Sequence, residues 1–162
     1  MAKRIVSRIG NIFCTEIDNQ YKVYLQYIAK DIEQLNSTVI RVFKKRYPIN
    51  YEPILEDIVK DDVDFYAHVM LNNGIRDGVW YKVGTHNDLG DTDNICFRSF
   101  SEGNYQHLTK SHRWYVWKIN KPHVFIGELS NKYRHYEIGW VFPYIQIISR
   151  IKTGNYTVRL LD

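Results

Sequence analysis

The sequence predicts an α+β domain rich in β structure, with a mostly antiparallel, strongly bent sheet or partial barrel and one or two short helices. Three observations support this prediction. Aromatic residues make up 15% of the chain and include 13 tyrosines, whose flat rings pack well on a pleated sheet. Short runs of alternating or β-branched residues, separated by turn residues, recur along most of the chain. Only two segments carry apolar residues at helical spacing.

The first three strands begin the predicted sheet. Residues 12–17 and 21–28 flank the sequence Asp-Asn-Gln, which predicts a β-hairpin. Within residues 21–28, apolar and more polar side chains alternate, so we expect this strand to be buried on one face only. Residues 38–43, with the sequence TVIRVF, are β-branched and aromatic and predict a third strand.

Two later segments predict helices. Residues 52–62 place Pro53 in a first turn and apolar residues along one side, as in a short amphipathic helix. Residues 142–154 have Pro143 early, Gly154 late and isoleucines at helical intervals, and we favour a helix over the strand that their β-branched content also allows. The other runs are expected as strands, at residues 63–71 (followed by a turn at 72–74), 78–84, 94–100, 114–119, 123–129, 137–142 and 155–161.

The run WYVWKI at residues 114–119 allows three interpretations. Strand alternation places apolar side chains on both faces, including Trp114 and Trp117, which is typical of a central strand covered above and below. A ring exposed to a protein partner and a platform on which nucleic-acid bases stack are the alternatives. Only Arg113 and Lys118 lie close enough in sequence to assist such stacking. We therefore favour packing in the core.

Chain length and cysteine content indicate the class of protein. The 162 residues contain no repeat, low-complexity tract or Gly/Ser linker, so we expect a single domain over residues 1–162. Cys14 and Cys96 are too few for a disulfide framework and are expected to be small buried side chains. Neither a signal peptide nor a run of about eighteen apolar residues is evident, which predicts a cytoplasmic protein without a membrane span.

Charge is distributed unevenly along the chain. Residues 1–50 hold nine Lys and Arg against four Asp and Glu, and residues 103–162 hold nine against three. Residues 51–102 reverse this balance, with four against eleven. An acidic middle third argues against nucleic acid as a partner and suits a basic protein partner, if its charges share one surface. The alternative is that positive and negative side chains interleave in space and cancel.

Catalytic and metal-binding signatures are missing from the sequence. The six histidines form no H-x-H or H-E-x-x-H motif, and no C-x-x-C, G-x-S-x-G or P-loop pattern occurs. Residues 86–94 contain Asp88, Asp91 and Asp93 but meet only one of three requirements of an EF-hand loop. These aspartates are expected to form turns by bonding their own backbone. We predict no catalytic residue, no metal site and no cofactor.

Ordered segments of the first ninety residues resemble the immunity-protein-26 family of bacterial polymorphic-toxin systems. The segments that carry the resemblance are RIGNIF (8–13), QYIAKD (26–31), VIRVFKKRYP (39–48), DDVDFYAHV (61–69) and GVWYKVG (78–84). The resemblance implies a mostly β, non-enzymatic, cytoplasmic protein that binds a cognate toxin domain and blocks its active site or substrate entry. Such binding needs shape complementarity, aromatic anchors and opposed charge. The hypothesis therefore assigns partner binding to the acidic side chains Asp61, Asp62, Asp64, Asp88, Asp91 and Asp93, with Trp80 as an aromatic anchor.

Two other classes of function remain as alternatives. Basic end segments and abundant aromatic residues would suit a small nucleic-acid-binding β-barrel, whose affinity would fall steeply with added salt. A hydrolase is the third hypothesis, and the spacing of the histidines gives it no support.

Overall fold

Eleven strands and three α-helices make up a computed structural model of the chain, which describes residues 3–162. The helices are α1 (Leu55–Ile58), α2 (Leu71–Arg76) and α3 (Tyr144–Thr153). The strands are β1 (Asn11–Ile17), β2 (Tyr21–Asp31), β3 (Ser37–Phe43), β4 (Tyr47–Pro48), β5 (Val63–Val69), β6 (Tyr81–Thr85), β7 (Cys96–Phe100), β8 (Trp114–Lys118), β9 (Val124–Gly127), β10 (Glu137–Ile138) and β11 (Val141–Phe142).

The strands form two open sheets. The larger sheet has the order β11–β5–β3–β2–β1–β6, with β4 paired to β2, and the smaller has the order β10–β7–β8–β9. Every pairing is antiparallel except those of β10 with β7 and β11 with β5. The predicted β-rich, mostly antiparallel architecture is confirmed. Neither sheet closes into a barrel.

Several predicted elements are confirmed. The hairpin of β1 and β2 turns at Asp18 and Asn19, whose positive φ angles of 50° and 55° suit a tight turn between twisted strands. Helix α3 begins after Pro143 and ends at Gly154, which takes the left-handed conformation with φ 82°. Strand β8 is central in its sheet, and Trp114 and Trp117 on its opposite faces are buried in two separate apolar clusters, while Tyr115 is half-buried.

The first face of the larger sheet packs against helix α3. Ile147 and Ile151 of this helix join Leu25, Val42 and Phe65 in one apolar cluster. The second face of the sheet is also covered, so the expectation that β2 is buried on one face only is wrong. Segment 47–59, the loop at 86–90 and the smaller sheet lie over this second face.

Three further predictions are wrong. The expected turn at 72–74 is part of α2, because the chain folds back so that Val79 N donates to the Gly74 carbonyl and the Trp80 ring packs on Gly74. Residues 137–142 are not one strand but two, β10 and β11, in different sheets. Residues 155–161 form no strand.

Among the described residues, no helix has the length and apolarity needed to cross a membrane.

Candidate functional site

Helix α1 places acidic side chains on the outside of the larger sheet. Ile58 and Val59 are buried against Phe43 and Tyr24, which anchors this single turn to the second face. Glu56 and Asp57 therefore point away from the core and are exposed. The burial of one side of a short segment thus fixes the position of its charged side.

A series of contacts connects the acids of α1 with those of the loop between β6 and β7. Glu56 Oε1 lies 2.8 Å from His86 Nε2, and His86 Nδ1 accepts a hydrogen bond of 3.0 Å from Asp88 N. On the other side of α1, the Tyr47 hydroxyl donates to Asp61 and also lies in the field of Asp57. We call this surface the acidic strip and define it as Glu56, Asp57, Asp61, Asp88, Asp91 and Asp93.

The loop half of the acidic strip is held by a buried arginine. Arg41 of β3 is 4% exposed, and its Nη2 donates to the Asp88 carbonyl at 2.7 Å while its Nε donates to Gln26 Oε1 at 2.9 Å. Gln26 in turn donates to the carbonyl of His86. Burial lowers the pKa of Arg41, and the charge of Asp88 opposes that change. Gly90 allows this close approach, because a Cβ there would lie 2.6 Å from Arg41 Nη1.

Two of the three aspartates of this loop, Asp88 and Asp91, bond their own backbone as predicted, whereas the Asp93 side chain makes no hydrogen bond to the described residues. Asp88 Oδ1 accepts from Gly90 N at 3.0 Å, and Asp91 Oδ1 accepts from Asp93 N at 3.2 Å. The hydrogen bond from the Asn94 side chain to Asp91 lowers the pKa of that carboxyl. The loop therefore presents its negative charges from a backbone with a defined shape.

Asp64 lies apart from the acidic strip. Asp64 lines a cavity of about 380 Å³ together with the basic side chains of Lys44, Arg46 and Lys152. The backbone carbonyl of Asp62 accepts a hydrogen bond from Lys44 N, while its side chain is exposed. The structure thus separates Asp61, which faces the tyrosine beside α1, from Asp64, which faces cations.

The prediction of Trp80 as a surface anchor is wrong. Its side chain is 0% exposed, lies against Gly74, and donates from Nε1 to the Leu71 carbonyl at 3.1 Å. A ring with no accessible surface cannot insert into a partner, and its role is to hold α2 against the larger sheet. The sequence pattern did not reveal this, because an aromatic residue between turn residues suits either position.

A buried polar cluster that the sequence analysis did not identify joins the two sheets. Asp31 and His68 are both 0% exposed, with His68 Nε2 2.9 Å from Asp31 Oδ2. Trp117 Nε1 donates to the same oxygen at 3.0 Å. The only hint in the sequence is a polar residue at the end of one long apolar strand and another inside a second.

Neither the Asp31–His68 pair nor Cys14 is accessible to a substrate. The Asp31–His68 pair resembles part of a catalytic site in composition, but both side chains are sealed in the core and no substrate reaches them. Burial raises the pKa of the Cys14 thiol, which disfavours its nucleophilic form. No group of three or more His, Cys, Asp or Glu side chains in this part of the chain is placed to hold a metal ion. What the site presents is fixed negative charge.

Comparison with known proteins gives one match. A family model described as Immunity protein 26 matches residues 8–110, which is more than half of the chain and includes the whole acidic strip. The matched region runs from the residues before β1 to those before β8. No curated protein and no solved structure matches the chain.

Proposed function

The chain belongs to the immunity protein 26 family, and from this premise we propose that it neutralises a cognate toxin domain in the cytoplasm by binding it directly. The inhibitor contributes no chemistry in this mechanism. It occupies the toxin's active site or its substrate entry, and its effect depends on the affinity and geometry of the complex.

The observation that carries this proposal is the acidic strip. Contacts run from Glu56 of α1 through His86 to Asp88, and Arg41 holds the loop at 88–93 through the Asp88 carbonyl. Negative charge presented on a rigid surface suits a basic partner, because complementary potentials speed encounter and rigid groups lose little freedom on binding. A toxin with a basic cleft is the partner that this surface favours.

The structure gives little support to the alternative of a nucleic-acid-binding barrel. The sheets are open, and both tryptophans of strand β8 are buried, although Tyr115 is half-buried beside the exposed Phe125 ring. The acidic strip would repel phosphates where it is exposed. These observations favour a protein partner over nucleic acid.

Growth rescue tests the proposal. The toxin-domain protein encoded beside this one is expressed in a sensitive host, alone or with the immunity protein, and complexes are sought by gel filtration. We expect the wild-type chain to restore growth and to co-elute with the toxin. If the chain does not restore growth and no complex is found, the proposal is contradicted.

Charge-reversal variants then test the acidic strip itself. Asp57→Lys and Asp93→Lys, combined, change two exposed side chains that make no side-chain hydrogen bond in the described structure. We expect the double variant to lose rescue. Glu33→Lys, at an exposed position in the turn between β2 and β3 and outside the acidic strip, is the control and should rescue like the wild type. Full rescue by the double variant would place the interface elsewhere.

A further inference from the structure

A cavity of about 370 Å³ opens on the side of the smaller sheet, between β7, β10 and the end of α3. Three arginines line it: Arg98 from β7, Arg134 from the turn before β10, and Arg150 from α3. Its apolar wall consists of Ile138, Tyr156, Val158 and Leu160. The cavity therefore combines concentrated positive charge with an apolar surface.

Two of these arginines are already paired with carboxylates. Arg150 makes two hydrogen bonds to Glu137, of 2.6 and 3.2 Å, and Arg134 Nη1 donates to Asp162 Oδ1 at 2.8 Å. Each pair balances its own charge. The remaining positive charge of the cavity belongs to Arg98.

Arg98 is half-buried and is fixed in place without a carboxylate partner. Its Nε donates to the Tyr136 carbonyl at 3.0 Å, and its guanidinium carbon lies 5.3 Å from the centre of the Trp114 ring. Neither terminal amino group of Arg98 makes a hydrogen bond to the described residues. None of these residues places a carboxylate oxygen within 4 Å of the Arg98 guanidinium nitrogens. Burial lowers the pKa of Arg98 and the neighbouring charge of Arg134 lowers it further, while the more distant charges of Glu137 and Asp162 oppose this change.

We propose that this cavity binds the carboxylate of a small organic acid with an apolar or aromatic body. The two free amino groups of a guanidinium match the two oxygens of a carboxylate in a forked pair, which is strong and directional. Three arginines against two carboxylates leave one positive charge, so a monoanion balances the site. The apolar wall then contacts the body of the ligand.

No residue of the acidic strip lines this cavity, although Asp91 lines an adjacent one together with His135, Tyr136 and Glu137. Of the residues that line the proposed binding cavity, only Arg98 lies within the region matched by the family model, and the others follow residue 110. Apart from Arg98, the cavity is therefore formed by this chain's C-terminal third. Its test does not depend on whether the chain binds a toxin.

Calorimetry on the full chain tests the proposal with benzoate as the probe and benzamide as its neutral counterpart of nearly the same shape. We expect saturable binding of benzoate, with benzamide at least tenfold weaker because it lacks the charge that pairs with Arg98. Acetate, which has the carboxylate without the ring, should also bind more weakly than benzoate. Equal binding of benzoate and benzamide, or no saturation, would overturn the proposal.

Two variants locate the binding. Arg98→Gln should weaken benzoate binding at least tenfold, whereas Arg76→Gln, at an exposed arginine of α2, should leave it unchanged. If Arg98→Gln does not fold, Leu160→Asp is the second test of the same cavity. Leu160 is 37% exposed at the cavity, and the added carboxylate would repel the carboxylate of benzoate. Wild-type affinity in either cavity variant would overturn the assignment.

Discussion

Asp31 is the residue on which the junction of the two sheets depends most directly. Four donors converge on its buried carboxylate: His68 and Trp117 on Oδ2, and the backbone N–H groups of Asn120 and Gln34 on Oδ1. A carboxylate accepts at both oxygens, so all four donors are satisfied. These bonds join β2 and β5 of the larger sheet to β8 and the turn after it.

Replacing Asp31 by asparagine should destabilise the protein strongly. The amide group of asparagine would face donors with a donor of its own, leaving buried N–H groups unpaired. We expect the free energy of unfolding to fall by about 2–4 kcal/mol. Urea denaturation measures this loss. Glu33→Gln, two residues away but exposed, is the control and should change stability by less than about 0.5 kcal/mol.

Ionisation of Asp31 should also make the stability of the protein depend on pH. Burial opposes ionisation of Asp31, but the hydrogen bonds from His68, Asn120, Trp117 and Gln34 outweigh it and lower its pKa. The stabilisation is therefore complete above the pKa of about 3.9 that an unfolded aspartate has, and it is lost as the pH falls through the lower, folded value. The stability difference between wild type and Asp31→Asn should narrow as the pH drops below about 4. A difference that stays constant over this range would contradict the assignment.

At the scale of elements, the passage from β10 to β11 connects the two sheets and depends on Gly139. Its N–H donates to the Arg98 carbonyl at 2.8 Å, and the ring of Trp117 packs directly on its Cα. A side chain at this position would overlap the indole, which is itself held by Asp31. The glycine lets the chain leave one sheet and enter the other within two residues.

Substitution of Gly139 by alanine should therefore cost stability through overpacking. We expect a loss of about 1–3 kcal/mol in the free energy of unfolding. The matched control is Gly103→Ala, because a Cβ at Gly103 meets no atom within 4 Å. Thermal unfolding of both variants checks the prediction. A Gly139→Ala protein as stable as the Gly103→Ala protein would show that Trp117 moves aside freely.

Elements with strong local signals were predictable from the sequence. The β1–β2 hairpin, β3 and α3 follow from alternation, β-branched runs and the Pro143–Gly154 boundaries. Features that depend on contacts distant in sequence were not predictable. The division of residues 137–142 between two sheets requires Trp117, and helix α2 requires Trp80 to fold back on Gly74.

The candidate site was predictable only where local sequence signals determine its structure. Turn formation by Asp88 and Asp91 follows from local chemistry, and the structure confirms it. The environment of Asp64 among cations, and the burial of Trp80, result from tertiary packing. So does the position of Arg41, whose contact with the loop spans forty-seven positions in sequence.

For the whole molecule, charge is unevenly distributed over the surface as well as along the chain, although Lys118 lies near Asp91 and Lys45 lies over the Tyr47 ring. The acidic strip collects carboxylates around α1 and the β6–β7 loop, whereas Lys44, Arg46 and Lys152 lie together around Asp64. A partner with a basic surface should therefore approach the acidic strip in one orientation. Because this steering acts over distance, we expect the association rate with the toxin domain to fall as salt is added, with a smaller effect on dissociation. Stopped-flow association at low and high salt measures this, and a rate independent of salt would contradict it.

The most direct test of direct neutralisation through the acidic strip is the dissociation constant of the complex with a catalytically inactive form of the neighbouring toxin domain. Calorimetry would compare the wild type, the Asp57→Lys/Asp93→Lys variant and the Glu33→Lys control. We predict a one-to-one complex of equal affinity for wild type and control, and at least tenfold weaker binding for the double variant. Absence of binding by the wild type, or equal affinity of all three proteins, would contradict the account.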